Sequence, residues 1–199
     1  KPLGVAGQII PWNFPLLNAG FKIGPALAAG CSLILKPSDL SPLSAYILGK
    51  IMHDIKFPAG VVNILSGELE QVARVLSGSK IPKTITMIGS TQTALKVIAD
   101  STTSIKKLGL ELGGNAPFMV FDDADFETAL NLAIGLKFGN SGQICVAANR
   151  IFIQSGIYDK FVAAYTERAK LLKLGHGKDA KPDMGPLISQ ASRTRILAL

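Results

Sequence analysis

Short apolar runs alternate along the chain with stretches whose apolar residues recur every three or four positions. Residues 4–10 and 32–35 read as strands, and residues 18–29 between them as a helix of small side chains. A second amphipathic helix is predicted over residues 42–55, with Ser41 as its cap and Pro42 in its first turn. Strands follow at 61–65, 84–88 and 106–111, with helices at 70–77 and 91–100. Strand and helix taking turns at this spacing predict parallel βαβ units, hence an α/β fold with a Rossmann-like open parallel sheet covered on both faces.

The texture changes after Gly113-Gly114. A strand is predicted at 117–121, and the carboxylates of Asp122, Asp123 and Asp125 then open a helix that runs to about Gly139. Carboxylates suit the positive end of a helix, so this acidic run reads as a cap in preference to a metal site. A strand at 150–154, a helix at 157–173 and a last helical stretch at 192–199 complete the chain. The pattern predicts a cofactor-type sheet domain over 1–114 and the start of a second α/β domain over 115–199. Because the chain begins at Lys1 and stops inside a helical pattern, both domains are expected to be partial.

Composition narrows this picture. With 48% hydrophobic and 18% charged residues among 199, the chain can bury a core, which excludes a disordered protein. Residues 2–21 carry no charge, and about 20 apolar residues would suffice to span a bilayer. Pro2, Pro11 and Pro15 break any continuous helix there, and Gln8, Asn13 and Asn18 would place amides in lipid, so the stretch reads as buried core. The layout of a secretory signal is absent as well. The net charge of +7 comes from 21 basic and 14 acidic residues, but the basic residues are scattered, with only Lys106 and Lys107 adjacent. Neither a nucleic acid nor a membrane is therefore expected as a partner. Two cysteines and two histidines, without ligand spacing, make neither a disulfide framework nor a metal site, and they point to a reducing, cytoplasmic setting.

Several residues could carry chemistry. Cys145 lies in a loop between a helix and a strand, with Gly139 and Gly142 close by, and is either a nucleophile or a small buried hydrophobe. Cys31 fits the second description. Glu111, between Leu110 and Leu112 at a strand end, is either a desolvated general base with a raised pKa or a satisfied strand-end carboxylate. Gly89 and Ser90 stand where a strand runs into a helix, as an anion site or as an ordinary cap. Lys36, Ser38 and Asp39 follow another strand, and strand ends are where such sheets bind ligands. In Pro11-Trp12-Asn13-Phe14-Pro15, the prolines fix a turn in which Asn13 either donates to a developing oxyanion or bonds its own turn. No Gly-x-Gly-x-x-Gly fingerprint follows any strand.

Taken together these segments resemble the NAD(P)-dependent aldehyde dehydrogenase superfamily. The resemblance rests on Trp12-Asn13-Phe14-Pro15, Lys36-Pro37-Ser38, Gly89-Ser90-Thr91, Leu110-Glu111-Leu112-Gly113-Gly114-Asn115 and Gly142-Gln143-Ile144-Cys145, in the family's order and spacing. It implies an NAD or NADP cofactor, a small aldehyde substrate and a homo-oligomeric full-length protein, dimer or tetramer. By the resemblance Cys145 attacks the aldehyde carbon, the Asn13 amide and the Cys145 N–H hold the oxyanion, and Glu111 activates the water that hydrolyses the thioester. Lys36 would hold the adenine ribose and Ser90 the pyrophosphate, with Trp12, Pro11, Ile10, Ser38, Asp39, Gly89 and Gly113 completing the cofactor residues. Texture around Cys145 is similar to succinate-semialdehyde dehydrogenases, yet Phe21 stands where those commonly carry an arginine for the substrate carboxylate. Ala147 stands where many have a second cysteine. An uncharged, aromatic or aliphatic aldehyde is therefore expected, with succinate-semialdehyde dehydrogenase proper or a catalytically silent truncated relative as the alternatives. Asp39 in place of glutamate favours NAD, and Ala94 replaces the glycine that usually closes the Gly89-Ser90 turn. The segment alone is expected to be inactive.

Overall fold

The computed structural model describes residues 1–179 and 181–199, which form two compact units, Lys1–Leu112 and Gly113–Leu199. In unit 1 the strands β1 (Val5–Ile9), β2 (Ser32–Lys36), β3 (Val62–Ile64), β4 (Thr84–Gly89) and β5 (Lys107–Leu112) make one sheet in the order β3-β2-β1-β4-β5, with every pairing parallel. Helices α1 (Pro15–Ala28), α2 (Leu43–Asp54), α3 (Leu69–Gly78) and α4 (Thr91–Asp100) are the crossovers. Strands covered on both faces read as unbroken apolar runs, which explains the uncharged stretch at the start of the chain.

Strand alternation sorts the core into two clusters. Ala6, Ile10, Leu33 and Leu35 pack with Ala19 and Ile23 of α1 and Ala45 of α2, whereas Ile9, Ile85 and Met87 pack with Ala73 and Leu76 of α3 and Ala94 and Val97 of α4. Each fully buried Leu or Ile contributes about 1.5–3 kcal/mol. Ala94 is buried inside the second cluster, so the replacement of glycine there adds a packed methyl group and α4 still forms. Gly7 is required by close packing, because a Cβ there would lie 2.6 Å from Ile85 Cδ1 and 3.1 Å from Leu76 Cγ.

Two details differ from the sequence expectations. Helix α1 begins at Pro15, one turn before residue 18, because a proline in the first turn lacks only an N–H that would be unpaired anyway. It also carries Pro25 in its interior, where no N–H exists to return to the carbonyl of Phe21. Buried Gln8 braces the helix beside that gap, its Nε2 donating to the Lys22 carbonyl at 2.7 Å. Ser41 does not cap α2. Its hydroxyl donates instead to the Trp12 carbonyl at 3.0 Å, and Pro42 occupies the cap position without a side-chain bond.

Unit 2 is smaller. Strands β6 (Ala116–Val120) and β7 (Ala148–Ile153) pair in parallel around helix α5 (Phe126–Phe138), and helices α6 (Tyr158–Lys170) and α7 (Gln190–Leu197) follow. Val120, Leu130, Ala133 and Phe161 form its core, with the Phe126 ring edge-on to Phe161 at 5.8 Å. Asp125 Oδ1 accepts from the Thr128 N–H at 2.7 Å, so the acidic run does cap α5. Asp122 and Gln154 clamp each other: the Asp122 N–H donates to Gln154 Oε1 at 3.0 Å and Gln154 Nε2 to Asp122 Oδ2 at 2.9 Å. Among the described residues no helix is long and apolar enough to cross a membrane.

Candidate functional site

Because every pairing in unit 1 is parallel, every strand ends on the same side of the sheet. Ile9 is in register with Lys36 and with Met87, and Gly89 with Leu112, so the carboxyl ends of β1, β2, β4 and β5 line up. The neighbours β1 and β4 feed helices on opposite faces, which makes this point the topological switch where open α/β sheets take their ligands. Ile10 to Asn13 leave β1 there, Lys36 to Asp39 leave β2, Gly89 and Ser90 leave β4, and Glu111 lies near the end of β5.

The side chains at this edge are tied down locally. Lys36 is fully buried and ion-pairs with the half-exposed Asp39. Ser38 Oγ accepts from the Leu40 N–H at 3.3 Å. Ile10 is buried, whereas Pro11 and Trp12 are half-buried, and the Trp12 carbonyl is held by Ser41. The half-buried Asn13 accepts at Oδ1 from Asn18 Nδ2 at 3.4 Å, which turns its own Nδ2 the other way. Ser90 caps α4 by accepting from the Thr93 N–H at 3.1 Å and shares a hydrogen bond with the Thr93 hydroxyl at 2.9 Å. Its cap role is therefore real, and its position at the start of α4 keeps the helix N–H groups at the sheet edge. Glu111 is exposed on β5, so the expected desolvation of this carboxylate is absent.

Sequence reasoning passed over Lys22. Burial lowers its pKa below the ordinary lysine range, and the negative charge of Glu111 pushes it partly back. The signal was present, since Lys22 is the residue that ends the uncharged run. Its neighbour Phe21 is 63% exposed on α1, as are Leu16 and Leu17 in large part. Also unforeseen is a cleft of about 500 Å³ between α3 and α4, lined by Leu69, Ala73, Thr93 and Val97 and bridged by the Lys96–Glu70 ion pair. The Lys96 ammonium holds the exposed Glu70 carboxyl below its ordinary range.

In unit 2 Gly113 is exposed at the start of the chain segment that leads into β6. Cys145 follows a turn in which Asn140 (φ 48°), Ser141 (φ 59°) and Gly142 (φ 72°) are all left-handed. The Ala147 N–H then donates to the Ile144 carbonyl at 3.1 Å, closing a β-turn with Cys145 and Val146 at its corners. Cys145 is exposed and Cys31 buried, so the two cysteines divide as a presented thiol and a small core hydrophobe. Ala147, which closes this turn, is itself buried. Among the described residues no three His, Cys, Asp or Glu side chains gather to hold a metal.

These features define a class: a doubly wound sheet with polar groups at its switch point, followed by an α/β unit that presents a thiol on a tight turn. The sequence matches the aldehyde dehydrogenase family over residues 1–199, and the chain belongs to that family. It is 43% identical over 196 residues to the mitochondrial succinate-semialdehyde dehydrogenase of Oryza sativa subsp. japonica, covering 98% of this chain and 37% of that protein. The betaine aldehyde dehydrogenase of Bacillus subtilis is 41% identical over 196 residues, covering 98% and 40%. Betaine aldehyde dehydrogenase from Staphylococcus aureus, solved in complex with NAD+, superposes with a TM-score of 0.95 at 41% identity, covering 100% of this chain and 39% of that one. The chain thus spans about 40% of the length of these relatives.

Proposed function

We propose that the polypeptide containing this chain oxidises an aldehyde to a carboxylic acid with NAD as cofactor. The observation that carries this reading is the exposed thiol of Cys145 at the corner of its turn, in a chain of this family. In this reading unit 1 is the cofactor-binding part and unit 2 the thiol-bearing part. Cys145 adds as thiolate to the aldehyde carbon. The amide of Asn13 and the N–H of Cys145 stabilise the oxyanion that forms. NAD, when bound, supplies the hydride acceptor. Glu111 then takes a proton from the water that cleaves the thioester.

The residues present fit a dinucleotide. Lys36, buried yet held by Asp39, offers a cation and an acceptor together for ribose hydroxyls, and the start of α4 at Ser90 suits a pyrophosphate. Pro11, Ile10, Trp12, Ser38, Gly89 and Gly113 complete this set. Leu69, Ala73 and Val97, beside the polar residues of the α3–α4 cleft, offer apolar contact suited to a flat base. Relatives are described both in complex with NAD+ and as NADP(+) enzymes. The Asp39 carboxylate would repel a 2′-phosphate, which favours NAD here. Phe21, exposed and without a cation on the preceding turn of α1, favours an uncharged aromatic or aliphatic aldehyde. A second reading, succinate-semialdehyde oxidation, is favoured by relatives named for that activity at 43–44% identity. Homo-oligomeric assembly and a reducing, cytoplasmic setting belong to the same proposal, as does inactivity of the 199-residue segment by itself.

The test is reduction of NAD+ or NADP+ by the polypeptide that contains this chain, over a panel of aromatic, aliphatic and carboxylated aldehydes. NADH formed with uncharged aldehydes is the expected result. Preference for succinate semialdehyde would install the second reading, and no reduction with any aldehyde would leave a silent relative.

A further inference from the structure

Three consecutive left-handed residues are rare, and the conformation is strained at Ser141 and, to a lesser degree, at Asn140. Such backbone persists only where its surroundings over-determine it. Gly142 fits because a Cβ there would meet the Lys137 carbonyl at 3.1 Å. Asn140 is held in part by its own Nδ2, which donates to the Gln143 carbonyl at 3.4 Å, and by the Gln143 N–H, which donates to the Asn140 carbonyl at 3.1 Å. Further holding groups come from the Gln143 side chain and from a distant segment. Gln143 donates from Nε2 to the Asn140 carbonyl at 3.0 Å and accepts at Oε1 from the Ile188 N–H at 2.9 Å. The Ser141 hydroxyl donates to the Gly185 carbonyl at 2.6 Å. One half-buried amide therefore grips the first residue of the strained turn with one end and residue 188 with the other, two positions before Cys145.

We infer that Gln143 is a positioning residue for Cys145: by joining the 185–188 segment to the left-handed turn, it fixes the β-turn that presents the thiol. This rests on the proposed role of Cys145 for its relevance to catalysis, but not for its test. The β-turn is closed by the Ala147 N–H, so the coupling can be read at an amide that Gln143 does not itself touch. A control lies at the far end of β7, where Gln154 clamps Asp122 with the same pair of amide bonds. If Gln143 mattered only as a structural loop tie, the two glutamines would behave alike at Cys145.

The experiment compares Gln143→Met, which keeps volume and removes both bonds, with Gln154→Met in the same chain. Amide hydrogen exchange at Ile188 and Ala147 and alkylation of Cys145 by iodoacetamide are followed by mass spectrometry. Buried Cys31 and the far-ultraviolet circular dichroism report any loss of fold. In Gln143→Met, exchange at both amides should quicken by about tenfold or more, because local opening now costs less. A thiol no longer locked in one orientation should alkylate about threefold faster or more. Gln154→Met should leave both readouts within about twofold of the unchanged chain. Ala147 exchange or Cys145 alkylation that stays within about twofold in Gln143→Met overturns the inference, whether or not the polypeptide proves to be a dehydrogenase. Should Gln143→Met lose its fold, Gln143→Glu keeps the acceptor for Ile188 and removes only the donor to Asn140. It should then retain Ile188 protection while Ala147 exchange still quickens, and equal protection of both amides would overturn the inference.

Discussion

In unit 1, Asn13, Lys36, Ser90 and Glu111 sit at or just past the ends of neighbouring parallel strands, placed by register and, at Lys36 and Ser90, by a local bond as well. In unit 2, Cys145 sits on irregular backbone whose own side chains, Ser141 and Gln143, reach backbone groups far along the sequence. The first arrangement inherits its accuracy from a five-stranded sheet with a core on each face. The second has a two-stranded sheet and one core cluster behind it, and relies on specific hydrogen bonds. The difference teaches that a regular scaffold positions polar groups cheaply, while a strained presentation needs dedicated supports.

The sharpest way to break this contrast is through chemistry. Cys145→Ala in the polypeptide that contains this chain should lower aldehyde oxidation by roughly a thousandfold or more. Glu111→Gln should keep a first burst of NADH and stop steady turnover, measured by rapid mixing, so that steady turnover in that variant would point to another base. Next in size is the core. Ile85→Ala and Leu130→Ala should each cost about 2–5 kcal/mol in urea unfolding, with Ile85 near the upper end because sheet and helices leave it no room to collapse. Equal losses would show that the smaller core of unit 2 closes around a cavity no better than the core of unit 1. Gly142→Ala should cost about 1–3 kcal/mol and quicken Cys145 alkylation, whereas an unchanged melting temperature would show that the turn is not strained.

The smallest expected effects concern pH, and they share a sign but fall in different pH windows in the two units. Folded Lys22 has a lowered pKa, so the unfolded chain binds more protons, and the stability of unit 1 rises with pH from that lowered value up to the ordinary lysine range. Bonds from the Thr128 hydroxyl and N–H hold the Asp125 carboxyl below its ordinary range, so its contribution in unit 2 is present above the unfolded pKa and fades as acid titrates the folded group. Lys22→Met should flatten the alkaline slope and Asp125→Asn the acid one in unfolding curves taken across pH. Slopes that survive both substitutions would assign the dependence to other groups.

Much of unit 1 was legible because buried parallel strands announce themselves as apolar runs and their ends fall where polar residues begin, as at Lys36 and Ser90. The acidic cap at Asp125 was legible for a similar, local reason. What escaped the sequence was nonlocal or masked by residue type. Ser41 looked like a cap but reaches a carbonyl 29 positions away, and Gln143 meets residue 188, 45 positions on. Asn140 and Ser141 hide a left-handed turn that glycine alone would have advertised. Glu111 looked desolvated between two leucines, yet an outer strand leaves it exposed.

The bond from Gln8 to the Lys22 carbonyl has a further consequence. It works as a key in a notch: were α1 to slide along the sheet by one residue, the buried amide would meet the carbonyl of Phe21 or Ile23, and the side chains would turn with it. The same residue offers the carbonyl that is gripped and the ammonium that senses Glu111. Sequence insertions or deletions between residues 8 and 22 should therefore be far less tolerable than substitutions on the exposed side of α1, because they would move a charge as well as a helix.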